Sequence, residues 1–254
     1  MKLTNFILLA YFNLFSIALG RSFLFKNNCS HTIWPASFTN PDSRSQLDSS
    51  NRGWEAPQGQ LRTIDVPDGW SGRFWGRRDC DFSKPDVASC STGACRGGLK
   101  CEPGVGTGIP PATLAEFTLN GDQGKDYYDV SNVDGFNLPV KIENNKNCKI
   151  ATCTVDLNPG CPDDRMKVRN SKGAFVGCLS ACQANLDGHR DNSPNCCSGQ
   201  YATAQTCPTS GVQYYDYFKS RCPDSYAYAY DEASQSALYT CVGADYVLTF
   251  CPQT

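Results

Sequence analysis

The stretch DYYDVSNVDGFNLPV, residues 126–140, sets Asp126, Asp129 and Asp134 among Tyr127, Tyr128, Val130, Val133, Phe136, Leu138 and Val140. The apolar residues read as a buried strand, yet acids are costly to bury unpaired. Crowded carboxylates have a chemical use. They push one another's pKa values apart, so one stays protonated near neutral pH while another is ionised. Glycoside hydrolysis needs such a pair: a proton donor at the leaving oxygen and a carboxylate as base or nucleophile. The plainer reading is that these acids cap turns or pair with nearby cations, and spacing alone leaves both open. In one extended strand side chains alternate between faces. Asp129 and Asp134, five apart, would then point opposite ways. Ser131-Asn132 and Asp134-Gly135 are turn-prone, and a bend or bulge near Asn132 returns both acids to one side.

Other chemistries find little support. A Ser–His–Asp triad has only His31 and His189 to draw on, the first in an expected strand and the second in the loop DGHRDN. Gly104-Val105-Gly106 lacks the strand-to-helix setting of a nucleotide loop. Several carboxylates suit a hard cation, but no calcium-loop spacing is present, and no cofactor or metal is expected. The chain has a formal charge of −2 and no basic block, which argues against nucleic acid. No polybasic or amphipathic helix argues for a membrane surface.

The elements that must position the acids read as short strands between Gly, Pro, Asn and Asp turns. SFLFKN, HTIWPASF, LRTIDV, GRFWGR, TLAEFTLN and YVLTF are examples. One helix is expected in VQYYDYFKSRC, where Val212, Tyr215, Phe218 and Cys222 fall at three- and four-residue spacing; CLSACQAN suits a short turn. An all-β core with a loop-rich annex follows. Residues 1–20, with Lys2 followed by an apolar run to small residues, read as a secretory signal peptide. Loss of Lys2 makes the mature chain, residues 21–254, one charge more negative.

All 16 cysteines lie beyond that leader. An even count in an exported chain reads as eight disulfides, not zinc sites. Each contributes about 2–4 kcal/mol in the chain-entropy model. Cys196-Cys197 should take different partners, since vicinal bridges are strained. Asn28-Cys29-Ser30 fits the glycosylation pattern, but an expected bridge at Cys29 on a strand argues against its use.

GRRDCDFSKPDVASCSTGAC, PPATLAEFTL, KDYYDVSNVDGFNLPV, CPDSYAYAYDE and YVLTFCP, in this order, resemble the thaumatin-like proteins over essentially the whole mature chain. One departure is Ala94 in STGAC, where the family usually has Asp; it bears on a local turn. GWEAP, GRRDCDFS and CQANLDGHRDNSPNCCSG look more like the fungal branch than the plant defence branch. The resemblance implies a flattened antiparallel β-sandwich, drawn from about 21–77, 112–156 and 222–254. It adds a small cysteine-rich subdomain at about 78–111 and a disulfide-rich one at about 157–221. It implies the pairs Cys29–Cys251, Cys80–Cys90, Cys95–Cys101, Cys148–Cys241, Cys153–Cys222, Cys161–Cys178, Cys182–Cys196 and Cys197–Cys207.

The resemblance also implies an acidic cleft holding Arg73, Glu116, Asp129, Asp134 and Asp231, with Glu232 directly after the last. Asp126 falls outside that set and is expected to be a solvated turn acid. Glu116 sits in the apolar setting TLAEF, which favours its protonated form, so it is the expected general acid. Asp134, beside flexible Gly135, is the expected base or nucleophile, with Asp129 or Asp231 in reserve. Arg73 would hold one acid ionised and fix its orientation, and Glu232 could substitute in part for Asp231. Tyr127, Tyr128, Tyr214, Tyr215, Tyr217, Tyr226, Tyr228 and Tyr230 either present faces to a sugar or fill the core. The expected activity is endo-hydrolysis of cell-wall β-1,3-glucan by a secreted monomer. The competing expectation is a non-catalytic binder of carbohydrate or protein, because the family contains both.

Overall fold

Strands form where β-branched and aromatic residues alternate with polar ones. The computed structural model describes residues 20–84 and 86–253, so the leader predicted at 1–20 lies outside the described residues apart from Gly20. In chain order the strands are β1 (Arg21–Asn27), β2 (Trp34–Thr39), β3 (Leu61–Val66), β4 (Ser71–Arg77), β5 (Leu114–Thr118), β6 (Asp126–Ser131), β7 (Val140–Asn144), β8 (Ala151–Cys153), β9 (Lys167–Arg169) and β10 (Phe175–Cys178). The helix α1 (Tyr215–Arg221) follows, then β11 (Tyr239–Cys241) and β12 (Tyr246–Phe250). The helix starts three residues later than the pattern at 212 suggests, because Tyr214 is left-handed at φ 59°. No helix among the described residues is long and apolar enough to cross a membrane.

Two five-stranded sheets face each other, in the orders β3-β1-β12-β7-β8 and β11-β6-β5-β4-β2. The facing sides are aromatic. Phe23 lies 4.8 Å from Phe117 between ring centroids, Phe25 4.9 Å from Phe74, and Phe117 5.2 Å from Tyr246. Burying one such side chain contributes about 1.5–3 kcal/mol. The sheets are antiparallel except for β1 and β12, which run parallel, a departure from the all-antiparallel expectation. The parallel pairing puts the C-terminal ends of the first and last strands side by side, with Asn27 opposite Phe250. Cys29 and Cys251, just past those ends, therefore bond. The cysteines form eight bridges in the pairs that the resemblance implies, and none is free.

The outer side of the second sheet is divided. At one end Ala36, Phe38, Trp75 and Leu114 pack with Ala112, Cys95 and Cys101 of the cysteine-rich stretch. That cover is fastened by polar contacts: Trp75 Nε1 donates to Gly93 O at 2.8 Å, and Arg77 Nη1 and Nη2 donate to Gly98 O and Leu99 O at 2.7 and 2.8 Å. Ala94 is buried there, and its carbonyl accepts from Ile109 N at 2.6 Å. The other end is uncovered, and its side chains are polar.

Asp126 corrects one expectation. It reads as a solvated turn acid, but it is fully buried at the start of β6. Arg21 Nε and Nη2 donate to its carboxylate at 2.9 and 3.1 Å, Tyr246 Oη at 3.0 Å and Asn120 N at 2.8 Å. Alternation places residue 126 on the same face as Tyr128 and Val130, so it must enter the sandwich. A buried carboxylate survives there because it is paired and hydrogen-bonded.

Candidate functional site

Three neighbouring strands carry the centre of the site. Arg73 on β4 lies opposite Glu116 on β5, and Glu116 lies opposite Asp129 on β6. Directly opposed residues bring their Cβ atoms to about 4.5–5.5 Å, so the register makes a row of cation, acid and acid. Alternation explains why they face outward. On β6, Tyr128 and Val130 enter the core, while Tyr127, Asp129 and Ser131 line the cleft; on β5, Ala115 enters the core and Glu116 lines the cleft. Arg73 Nε stands 3.8 Å from Glu116 Oε1, a loose ion pair that leaves Nε without a hydrogen-bond partner.

Asp134 joins them through a turn. The strand ends at Ser131, Gly135 N donates back to Asn132 O at 2.8 Å, and Asn132 is fixed by Tyr226 O and Ser225 Oγ. Gly135 has φ +91°, and a Cβ on it would stand 2.4 Å from Cys178 O. Only glycine fits both requirements without strain. Asp134 Oδ1 accepts from Gln183 Nε2 at 2.8 Å. Substitution Gly135→Ala is expected to destabilise by about 1–3 kcal/mol, read as a lower urea midpoint, and to free Asp134 from Gln183.

The cleft encloses about 430 Å³, and its far wall includes Tyr226, Ala229, Glu232 and Leu238. Asp231, which the resemblance places in the cleft, does not line it. It is 1% exposed, accepting from Tyr215 Oη and Ala227 N at 2.9 Å each and pairing with Lys219 Nζ at 3.0 Å. A 3₁₀ turn over Asp231–Ser234 points Asp231 inward and leaves Glu232 exposed.

Burial pushes the Glu116 carboxyl above the usual range; Arg73 opposes this, Asp134 adds to it, and the Ser131 hydroxyl opposes it. Its side chain remains 35% exposed to the cleft, so a ligand can reach it. Asp129 is raised well above its ordinary value by burial, then by Glu116 and Glu232, against Arg73. It is 8% exposed, and its Oδ2 has no hydrogen-bond partner. Asp134 is raised by burial but held down by Gln183 and then by Arg73.

Between the ordinary Asp pKa and the raised one, folded Asp129 holds a proton that the unfolded chain has lost. Stability therefore falls as pH rises through that window. Asp129→Asn removes this contribution. Thermal melts are expected to place the variant above the parent at pH 7, with the gap closing toward about pH 4.

Gln183 and Ser131 are contacts that sequence reasoning missed. Gln183 lies 49 residues from Asp134, and no local pattern links them. Tyr127 and Tyr226 line the cleft, whereas Tyr128, Tyr239 and Tyr246 fill the core and Tyr228 packs in a separate buried cluster.

The Thaumatin family model matches residues 27–252. Pathogenesis-related protein 5 of Arabidopsis thaliana is 42% identical over 238 residues, covering 92% of this chain and 91% of the relative. Thaumatin-like protein 1a of Malus domestica is 40% identical over 242 residues, covering 94% and 93%. Among solved structures, a laminaripentaose-producing β-1,3-glucanase from Paenibacillus barengoltzii shares the fold, with TM-score 0.56 and 13% identity over 92% of this chain and 75% of that one. Matched from the end of its first strand to just past its last cysteine, and at about two identical residues in five to both plant proteins, the chain belongs to the thaumatin family.

Proposed function

We propose that this protein is secreted and acts on cell-wall β-1,3-glucan, binding the polysaccharide in the acidic cleft and hydrolysing it, in wall remodelling or antifungal defence. Eight disulfides suit an oxidising, extracellular setting. The observation that carries the catalytic reading is Glu116: open to the cleft, yet with its carboxyl held up by burial and by Asp134. A carboxylic acid that keeps its proton to higher pH than usual is better placed to protonate a leaving glycosidic oxygen. Asp134 is raised by burial but opposed by Gln183 and then Arg73, and we assign it as the base or nucleophile. Arg73 limits how far the cleft acids rise, and Asp129 and Glu232 receive sugar hydroxyls.

The walls support a sugar ligand. Tyr127 and Tyr226 present flat apolar faces with hydrogen-bonding tips, and Val133 and Leu238 add apolar surface. The thaumatin family includes a protein named as pathogenesis-related, and the fold is shared with a β-1,3-glucanase, which selects the first polysaccharide to test. Purified protein incubated with soluble β-1,3-glucan is expected to release new reducing ends. Retention of glucan without release would leave a binding protein and remove the hydrolytic half of the proposal.

A further inference from the structure

Asn28-Cys29-Ser30 is the only Asn-x-Ser/Thr triplet in the sequence. The pattern accepts an N-linked glycan wherever the asparagine can be reached and the middle residue is not proline. The folded chain separates two adjacent asparagines. Asn27 is 2% exposed, its Nδ2 donating to His31 O and Ala56 O at 3.0 and 2.8 Å and its Oδ1 accepting from Cys29 N at 2.9 Å. Asn28 stands just beyond the end of β1 and is exposed, as is Ser30. Neither lines the cleft.

The bridge at Cys29 is the apparent obstacle, because a closed disulfide would hold the triplet against the β1–β12 edge. Its partner removes the difficulty. Cys251 lies 222 residues downstream, so Cys29 cannot close that bond until nearly the whole chain has been made. Synthesis at about 5–20 residues per second puts that delay on the order of 10–40 s. The strand β12, which pairs with β1 from Phe23–Tyr246 to Asn27–Phe250, is also among the last segments to appear. The remaining neighbour, β3, leaves β1 in a two-stranded pairing of marginal stability in water. The triplet is therefore open throughout most of export, and once folded it has room for a bulky group.

We propose that Asn28 carries an N-linked glycan, attached during export and before Cys29 bonds Cys251. The transfer forms a bond from Asn28 Nδ2 to the anomeric carbon of a lipid-linked oligosaccharide. It breaks that carbon's bond to the lipid diphosphate and releases one amide proton. The proposal shares only secretion with the reading of the cleft, so either can fail alone.

The test is expression of the full chain through a eukaryotic secretory pathway, followed by intact-mass measurement with and without peptide N-glycosidase F. The secreted protein is expected to carry added mass that the enzyme removes, leaving Asp at position 28. Asn28→Gln and Ser30→Ala should be secreted without that mass, and Ser30→Thr should keep it. A secreted wild-type chain of unmodified mass overturns the proposal. So does added mass that persists in Asn28→Gln. A bare wild type beside a glycosylated Cys251→Ser would show that the bridge closes first, which also overturns it.

Discussion

Glu116→Gln is expected to abolish the release of reducing ends from soluble β-1,3-glucan while glucan retention survives. Glutamine keeps the size of the side chain, but its amide has no acidic proton to give. Loss of a positioned general acid lowers kcat by about 10²–10⁴-fold, with KM little changed because binding contacts remain. The pH profile separates this role from a structural one. Glu116 and Asp134 are both raised above the ordinary carboxylate range, each by burial first. The acidic limb of the wild-type profile should report Asp134 losing its proton, and the alkaline limb should report Glu116 losing its own. Residual activity in Glu116→Gln should lack the alkaline limb. Above the pH at which Glu116 ionises, the substitution also relieves Asp129, which the Glu116 charge helps to hold up. A variant as active as the parent, with both limbs intact, would sink the assignment.

How far the site was legible in the sequence depends on the range of the interactions. Alternation within DYYDVS is local, so spacing alone puts Asp129 and Tyr128 on opposite faces, though it does not say which face is the core. The turn that returns Asp134 was also legible, in Asn132 and Gly135, because the constraint on Gly135 is a backbone one. Asp126 was misread for the opposite reason. What makes its burial tolerable is Arg21, 105 residues away, and Tyr246, 120 residues away. No spacing rule reaches that far. The parallel pairing of β1 with β12 was hidden likewise, since each strand alone reads only as an apolar run. The disulfide pairs came from family likeness alone, since sixteen cysteines carry too little information in their spacing to select one arrangement.

The tandem acids Asp231 and Glu232 show how one residue of register changes a role, and they give the second large prediction. Asp231→Asn is expected to act on stability. Asp231 is buried against Lys219, Tyr215 and the Ala227 amide, and its loss leaves the Lys219 ammonium, itself only 13% exposed, without its anion. Breaking a buried pair by removing one partner costs about 3–5 kcal/mol. At about 2–4 °C per kcal/mol for a chain of this size, Tm should fall by roughly 6–20 °C. The same contacts join α1 to the segment carrying Tyr226, so the far wall of the cleft should loosen as well. Glu232→Gln should do the reverse. Glu232 is exposed on the cleft wall, so Tm should move little. Its charge helps to raise Asp129, so the neutral variant should bring Asp129 down toward its ordinary value and weaken glucan retention. Melting curves and glucan affinity measured on both variants separate the two roles. If Asp231→Asn melts with the parent and loses glucan while Glu232→Gln retains it, then Asp231 is the cleft acid and the inward turn at 231 is not the working conformation.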